Sequence, residues 1–128
     1  MSLGNVRLPL EALGEGWVLI PFGFTINGTS DPDGLIPDNV FSGWTRNEAG
    51  EFTGTLKAAI GKPKCLFAMA TLSPTADDVD IYARCDWTTV ESAGTLKVFL
   101  MTGATQTDPT DDTKVGGFLL CKTSGRGL

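Results

Sequence analysis

Apolar and polar residues alternate along much of this chain. Val18, Ile20, Phe22, Phe24 and Ile26 take every second position across residues 17–26, the pattern of a strand with one buried face. Pro21 falls on the opposite face and has no amide hydrogen, which predicts a strand at a sheet edge or one carrying a bulge. Residues 27–39 then string together Asn27-Gly28, Asp31-Pro32, Asp33-Gly34 and Pro37-Asp38 and read as a loop. Residues 40–46 and 51–57 read as a hairpin, with Gly50 placed for a left-handed turn position. Phe52, Gly54 and Leu56 alternate with Thr53 and Thr55, so one face is buried and the other wetted. Residues 58–64 have room for one helical turn before Pro63. Residues 65–72 form a continuous apolar run of strand length, predicted to lie centrally with both faces covered. Val79, Ile81, Ala83, Cys85 and Trp87 again alternate with polar residues, and 91–94 turn the chain into a strand over 95–101. A polar loop over 102–114 leads to a last strand over 115–122.

Seven strands joined by turns and loops predict an all-β fold, an antiparallel β-sandwich or flattened barrel. Residues 17–123 form that single domain, and 124–128 a short flexible tail. Residues 1–16 have no period. Leu3, Val6, Leu8, Leu10 and Leu13 are spaced by Gly4, Pro9, Gly14 and Gly16. Pro9 breaks any helix across this stretch, so it reads as an extended N-terminal arm, folded onto its own core or reaching a neighbour. Two short echoes are present. Gly54-Thr55-Leu56-Lys57 recurs as Gly94-Thr95-Leu96-Lys97, and Ser30-Asp31-Pro32-Asp33 is echoed by Thr107-Asp108-Pro109-Thr110-Asp111. The demands of a second hairpin strand account for the first without duplication.

Composition narrows the function classes. The 128 residues suffice for one domain with its own core. Sixteen glycines and seven prolines fit many short strands. There is no histidine, which removes His-dependent triads and the usual zinc sites. The net charge is −5, and the basic residues are scattered from Arg7 to Arg126. That balance argues against nucleic acid or an anionic membrane as partner. No apolar stretch approaches the ~20 residues of a spanning helix, and residues 1–13 do not read as a secretory leader. Cys65, Cys85 and Cys121 each sit in an apolar run, with no Cys-x-x-Cys. They read as reduced, buried thiols of a chain made in a reducing cytoplasm. Arg84 and Lys122 flank two of them, but adjacent strand residues point to opposite faces and do not activate a thiol.

Carboxylates are the numerous candidates for chemistry: Asp31, Asp33 and Asp38; Asp77, Asp78 and Asp80; Asp108, Asp111 and Asp112. Paired acidic loops can hold calcium, but none has the spaced Asp-x-Asp-x-Asp-Gly form, and Asp-Pro commonly opens turns. Paired carboxylates also serve glycosidases, which need a larger cleft-bearing scaffold. There is no Gly-x-Ser-x-Gly, and Gly14-Glu15-Gly16 precedes a strand rather than a helix. Trp17, Trp44 and Trp87 suit either a sugar-binding face or packing, and packing is the simpler reading. The sequence therefore predicts no catalytic residue, no cofactor and no metal.

One segment has a distinctive pattern. Val40-Phe41-Ser42-Gly43-Trp44-Thr45-Arg46-Asn47-Glu48-Ala49-Gly50-Glu51-Phe52-Thr53-Gly54-Thr55-Leu56 has a strand ending in Thr-Arg, an Ala-Gly turn and an alternating aromatic-Thr strand. It resembles a segment of small virion structural proteins of tailed bacteriophages. Phe22-Gly23-Phe24 before its loop, the apolar run 66–72, and the acidic loop 108–113 leading into 115–120 are similar too. The resemblance covers residues 17–123; the cysteines and the three tryptophans depart from it. It implies a head decoration (cement) protein, or a related head-spike or fibre component, without catalytic residues. Its implied partner is the major capsid protein on the outside of the virion head, and its implied assembly a homo-oligomer, commonly a trimer. The expected interface is the arm residues Leu3, Val6, Leu8, Leu10 and Leu13, with Trp17, Phe41 and Trp44 as exposed aromatics. The alternative is a ligand- or carbohydrate-binding β-sandwich module.

Overall fold

The computed structural model describes residues 16–34, 40–73 and 80–122. Most of the period-two segments become strands there. In chain order these are β1 Trp17–Asn27, β2 Ser30–Gly34, β3 Phe41–Glu48, β4 Glu51–Leu56, β5 Lys64–Leu72, β6 Tyr82–Asp86, β7 Thr95–Thr102, β8 Thr105–Gln106 and β9 Lys114–Lys122. The first sheet has the order β2-β1-β9-β5, and the second β3-β4-β7-β6 with β8 added to β7. All pairings are antiparallel. The two sheets pack face to face as a β-sandwich, as expected. The arm, the tail and the turn residues Asp38, Asp77 and Asp78 lie outside the described residues.

The core follows from the alternation. Val18, Ile20, Phe22, Phe24 and Ile26 of β1 are all buried, facing Phe52, Leu96, Val98 and Leu100 from the second sheet. β1 pairs with β9 in unbroken register from Trp17↔Lys122 to Thr25↔Lys114. β2 covers β1 only from Phe24 onward. Pro21 thus falls where that side of β1 has no strand partner among the described residues, as a residue without an amide hydrogen allows. The two echoed tetrapeptides are antiparallel neighbours, with Gly54 opposite Leu96 and Thr55 opposite Thr95. Each sends its leucine into the core, so one pattern requirement acts on both strands.

Four expectations need correction. Residues 65–72 are not central: β5 is the end strand of the first sheet, and Leu66 and Met69 are more than half exposed. Its apolar run marks a second apolar face rather than cover on both sides. The two loops each contain a short strand. β2 extends the hairpin after Gly28 (φ +57), and β8 folds back on β7 after Gly103 (φ +61). The turn at 91–94 is the end of a helix, Thr88–Ala93. The Asp86 carboxylate accepts from the Thr88 N–H and hydroxyl at 3.0 and 2.7 Å, which opens the helix. Gly94 closes it in a left-handed conformation, its N–H donating to Val90 O.

Candidate functional site

The densest polar constellation centres on Arg46, the last residue of the Thr-Arg motif. Its Nε and Nη2 donate to the two Asp108 carboxylate oxygens at 3.2 and 2.5 Å. Nη1 donates to the Thr29 carbonyl at 3.3 Å. The Arg46 backbone N–H donates to Asp31 Oδ1 at 2.9 Å. Asp108 Oδ1 also accepts from the Gly50 N–H at 2.9 Å. Both Asp-Pro turns of the sequence echo therefore converge on one arginine, and Pro32 and Pro109 are buried beside it. The clamp ties the β1–β2 turn, the β3–β4 hairpin and the segment after β8 together at one end of the sandwich. The hairpin tip is held further by Leu100 N–H to Gly50 O at 2.8 Å and Gln106 Nε2 to Ala49 O at 3.0 Å. Gly50 has φ +70, and a Cβ there would lie 2.5 Å from Thr107 N, so the position requires glycine.

Electrostatics match a fastening role. Partial burial pushes the Asp108 carboxyl up, but the bonds from Arg46 and Gly50 outweigh it and hold it below the ordinary aspartate range. The bond to Asp108 raises the Arg46 guanidinium above its ordinary value. Asp111 accepts a hydrogen bond from the Gly28 N–H at 2.9 Å. Among the described residues no three His, Cys, Asp or Glu side chains come together in a way that could hold a metal ion.

The three cysteines converge toward the β5–β6 side. Cys65 and Cys121 are cross-strand partners, Cys121 is fully buried, and the Cys65 thiol donates to the Phe67 carbonyl at 3.4 Å. The neighbouring Cys121 thiol lowers Cys65, and Cys65 together with burial raises Cys121. Burial, with the nearby Cys65 adding to it, pushes the Cys85 thiol up to about 12. All three are free thiols.

The expected exposed aromatics divide. Phe41 and Trp44 are 5% and 7% exposed and belong to the core, not to an open surface. Strict alternation would send residues three apart to opposite faces, but a register shift between Phe41 and Gly43 turns both inward. There they join an aromatic cluster: Trp44 lies 4.6 Å from Phe24, 4.9 Å from Phe41 and 5.5 Å from Phe22, centroid to centroid. Gly54 leaves the room for the indole, since a Cβ there would lie 2.6 Å from Trp44 Cη2. Trp17 is half-buried on the outer face of the first sheet, with the Lys122 ammonium 5.8 Å from its ring. Trp87 packs beside the core next to the helix. The three tryptophans share no platform. The arm residues Leu3, Val6, Leu8, Leu10 and Leu13 lie outside the described residues.

Sequence reasoning did not single out the outer face around Trp17. Directly opposed residues of an antiparallel sheet point to one side, so the registers define three apolar-rich rows. These are Trp17–Lys122–Lys64, Leu19–Leu120–Phe67 and Pro21–Phe118–Met69. The Phe67 and Phe118 rings meet edge to face at 6.1 Å, which places both on this side. Pro21 and Met69 are exposed, Leu19, Phe67 and Phe118 half-buried, and Leu120 is buried in the middle. β1, β5 and β9 contain no Asp or Glu, although the chain carries −5 overall. The outer face of the second sheet is instead polar: threonines, Lys97 paired with Glu51 at 3.9 Å, and Arg84 over the Phe99 ring at 4.8 Å. A signal for the first face was available, in three strands apolar at both parities and free of acids.

No family model, curated protein or solved structure matches this chain. Among the described residues no helix is long and apolar enough to cross a membrane. What the arrangement offers is therefore a fastened end, a closed aromatic core and one unbalanced apolar face.

Proposed function

We propose that this chain is a non-enzymatic structural module: a capsid decoration (cement) protein on the outside of a tailed-phage head. It binds the major capsid protein, assembles as a homo-oligomer with a trimer favoured, and stabilises the lattice by adding contact area. The observation that carries this reading is the outer side of β1, β9 and β5, apolar, lysine-rimmed and with no acid in these three strands, on an otherwise acidic domain. Monomeric domains rarely leave such a contiguous face open, and faces of this kind mark protein contacts. The polar groups of the described residues support it as well. Arg46, Asp31, Asp108 and Asp111 hold backbone and turns together rather than surrounding a substrate. The scattered tryptophans favour this reading over a sugar-binding platform.

The test is sedimentation of purified chain with undecorated phage heads. The expected result is saturable binding with a fixed number of copies per capsomer and heads that resist heat or chelation better. Absence of binding at ~10 µM, a concentration far above the Kd of a standard-size interface, sinks the proposal.

A further inference from the structure

We propose that Cys65 and Cys121 form a disulfide site: a small-molecule disulfide such as oxidised glutathione converts the two thiols into a bridge that fastens the end strand β5 to β9. This inference is independent of the decoration reading and asks only for a chain that meets an oxidant. A protein made reduced and later released into an oxidising medium meets that condition.

The strand register builds the site. Cys65 and Cys121 are directly opposed across β5 and β9. Opposed residues of an antiparallel pair have Cα atoms about 4.5–5.5 Å apart, inside the ~4.4–6.8 Å that a disulfide spans. Strict alternation would send Cys65 to the same side as Phe67, out onto the apolar face. The register shift between the two turns Cys65 inward instead, where it packs against the core on the side of the fully buried Cys121. Both thiols are free, and they lie near enough to shift each other's ionisation, Cys65 down and Cys121 up. Cys85 stands in the other sheet, opposite Val98, with no cysteine across from it.

The chemistry is a two-step exchange. Cys65 is the half-buried member of the pair. Its thiolate attacks one sulfur of the small disulfide and expels a thiolate, which takes up the Cys65 proton. Cys121 Sγ then attacks Cys65 Sγ and expels the second small thiolate, which takes up the Cys121 proton. One Cys65–Cys121 bond has formed, the small disulfide has been reduced to two thiols, and the protein has lost the two electrons they gained. The bridge is uncharged, so the burial that opposes a Cys121 thiolate does not oppose the product.

Position gives the bridge its effect. β5 is the end strand of its sheet and is paired to β9 alone, whereas β9 is paired on both sides. Cys65 lies at the start of β5, so the crosslink ties the strand held from one side to a strand held from two. It also closes a long loop in the unfolded chain, the case in which a crosslink constrains that state most.

The experiment incubates the intact, reduced chain at pH 8 with excess oxidised glutathione, quenches with acid and maps the product by mass spectrometry. The expected product is lighter by two hydrogen atoms, retains no glutathione, yields a peptide linking Cys65 to Cys121, and shows a single alkylatable thiol, Cys85, on unfolding. Its Tm should rise by at least ~5 °C and return to the starting value with dithiothreitol. Cys85→Ser should bridge as the wild type does, and Cys121→Ser should stop with one glutathione on Cys65. The wild-type map decides the matter even where Cys121→Ser does not fold. A wild-type chain that keeps all three thiols, holds glutathione on Cys65 or links through Cys85 overturns the inference, and so does a bridge without a gain in Tm.

Discussion

Asp108→Asn isolates the fastening at the end of the sandwich. The substitution keeps the shape of the side chain and removes its charge. In the native clamp Oδ1 accepts from Arg46 Nε and Gly50 N, and Oδ2 from Arg46 Nη2. An asparagine can keep the oxygen toward Gly50, but its amide nitrogen then faces Nη2, donor against donor. The pair is largely shielded, with side-chain exposures of 17% and 22%, so the charge-assisted range applies with some discount for solvent, giving a loss of about 2 kcal/mol. For a domain of this length that lowers Tm by about 6–10 °C. The pH dependence has a definite sign. The folded Asp108 carboxyl titrates below its ordinary value. Its contribution is thus complete above the unfolded value of ~3.9 and is lost as pH falls through the folded one. Urea unfolding of wild type and variant should show a constant gap from neutral pH down to about pH 5, narrowing from ~4 downward. Arg46→Gln completes a double-mutant cycle. Coupling below ~0.5 kcal/mol, the level of an ordinary surface pair, or a gap that ignores acid refutes the clamp.

Two further outcomes follow from the geometry. Gly117→Ala places a Cβ 1.9 Å from the Met69 carbonyl oxygen and 2.7 Å from Ala70 Cα. Both are backbone atoms of the neighbouring strand, so urea unfolding should show a loss of about 3 kcal/mol or failure to fold, whereas Gly116→Ala, whose nearest atom is Phe22 O at 3.9 Å, stays within ~1 kcal/mol of wild type. Thiol titration by alkylation at pH 8 should find one fast-reacting cysteine, Cys65, half-buried and lowered by the neighbouring Cys121 thiol. Cys121 and Cys85 should react only on unfolding, and Cys65→Ser should abolish the fast phase.

Much of the sandwich was legible because alternation encodes a buried face directly. β1 and β4 show this: Val18 to Ile26, and Phe52, Gly54 and Leu56, point inward as their parity requires. The left-handed Gly50 was legible for a similarly local reason. What failed depends on partners far along the chain. Ser30–Gly34 is rich in turn residues, and it becomes a strand because the end of β1 is there to pair with. The resemblance put Phe41 and Trp44 at an interface, and a bulge, invisible in the residue pattern, turns both into the core instead. Arg46 drew notice only as part of a motif. Nothing in its neighbours announces an acceptor 62 residues away.

The misreading of residues 65–72 carries the most information. A strand apolar at both parities belongs in a sheet covered on both sides, the usual situation of parallel strands under helices. Here the sheet is antiparallel, the sandwich covers one side, and no described element covers the other. The second sheet shows what this chain does with a face meant for water: it lines it with threonine, Lys97, Glu51 and Arg84. The outward positions of the first sheet hold Trp17, Leu19, Pro21, Phe67, Met69 and Phe118 in the middle, with Lys64 and Lys122 at one end and Thr25, Asp33, Thr71 and Lys114 toward the other. An open apolar face gains nothing for the isolated domain and favours nonspecific association. It gains free energy only when a further surface removes it from water. The pattern that predicted a covered strand was therefore correct about the chemistry of the side chains and wrong about where the cover lies. On the proposed reading, that cover is a partner's surface, brought to the face when the chain assembles.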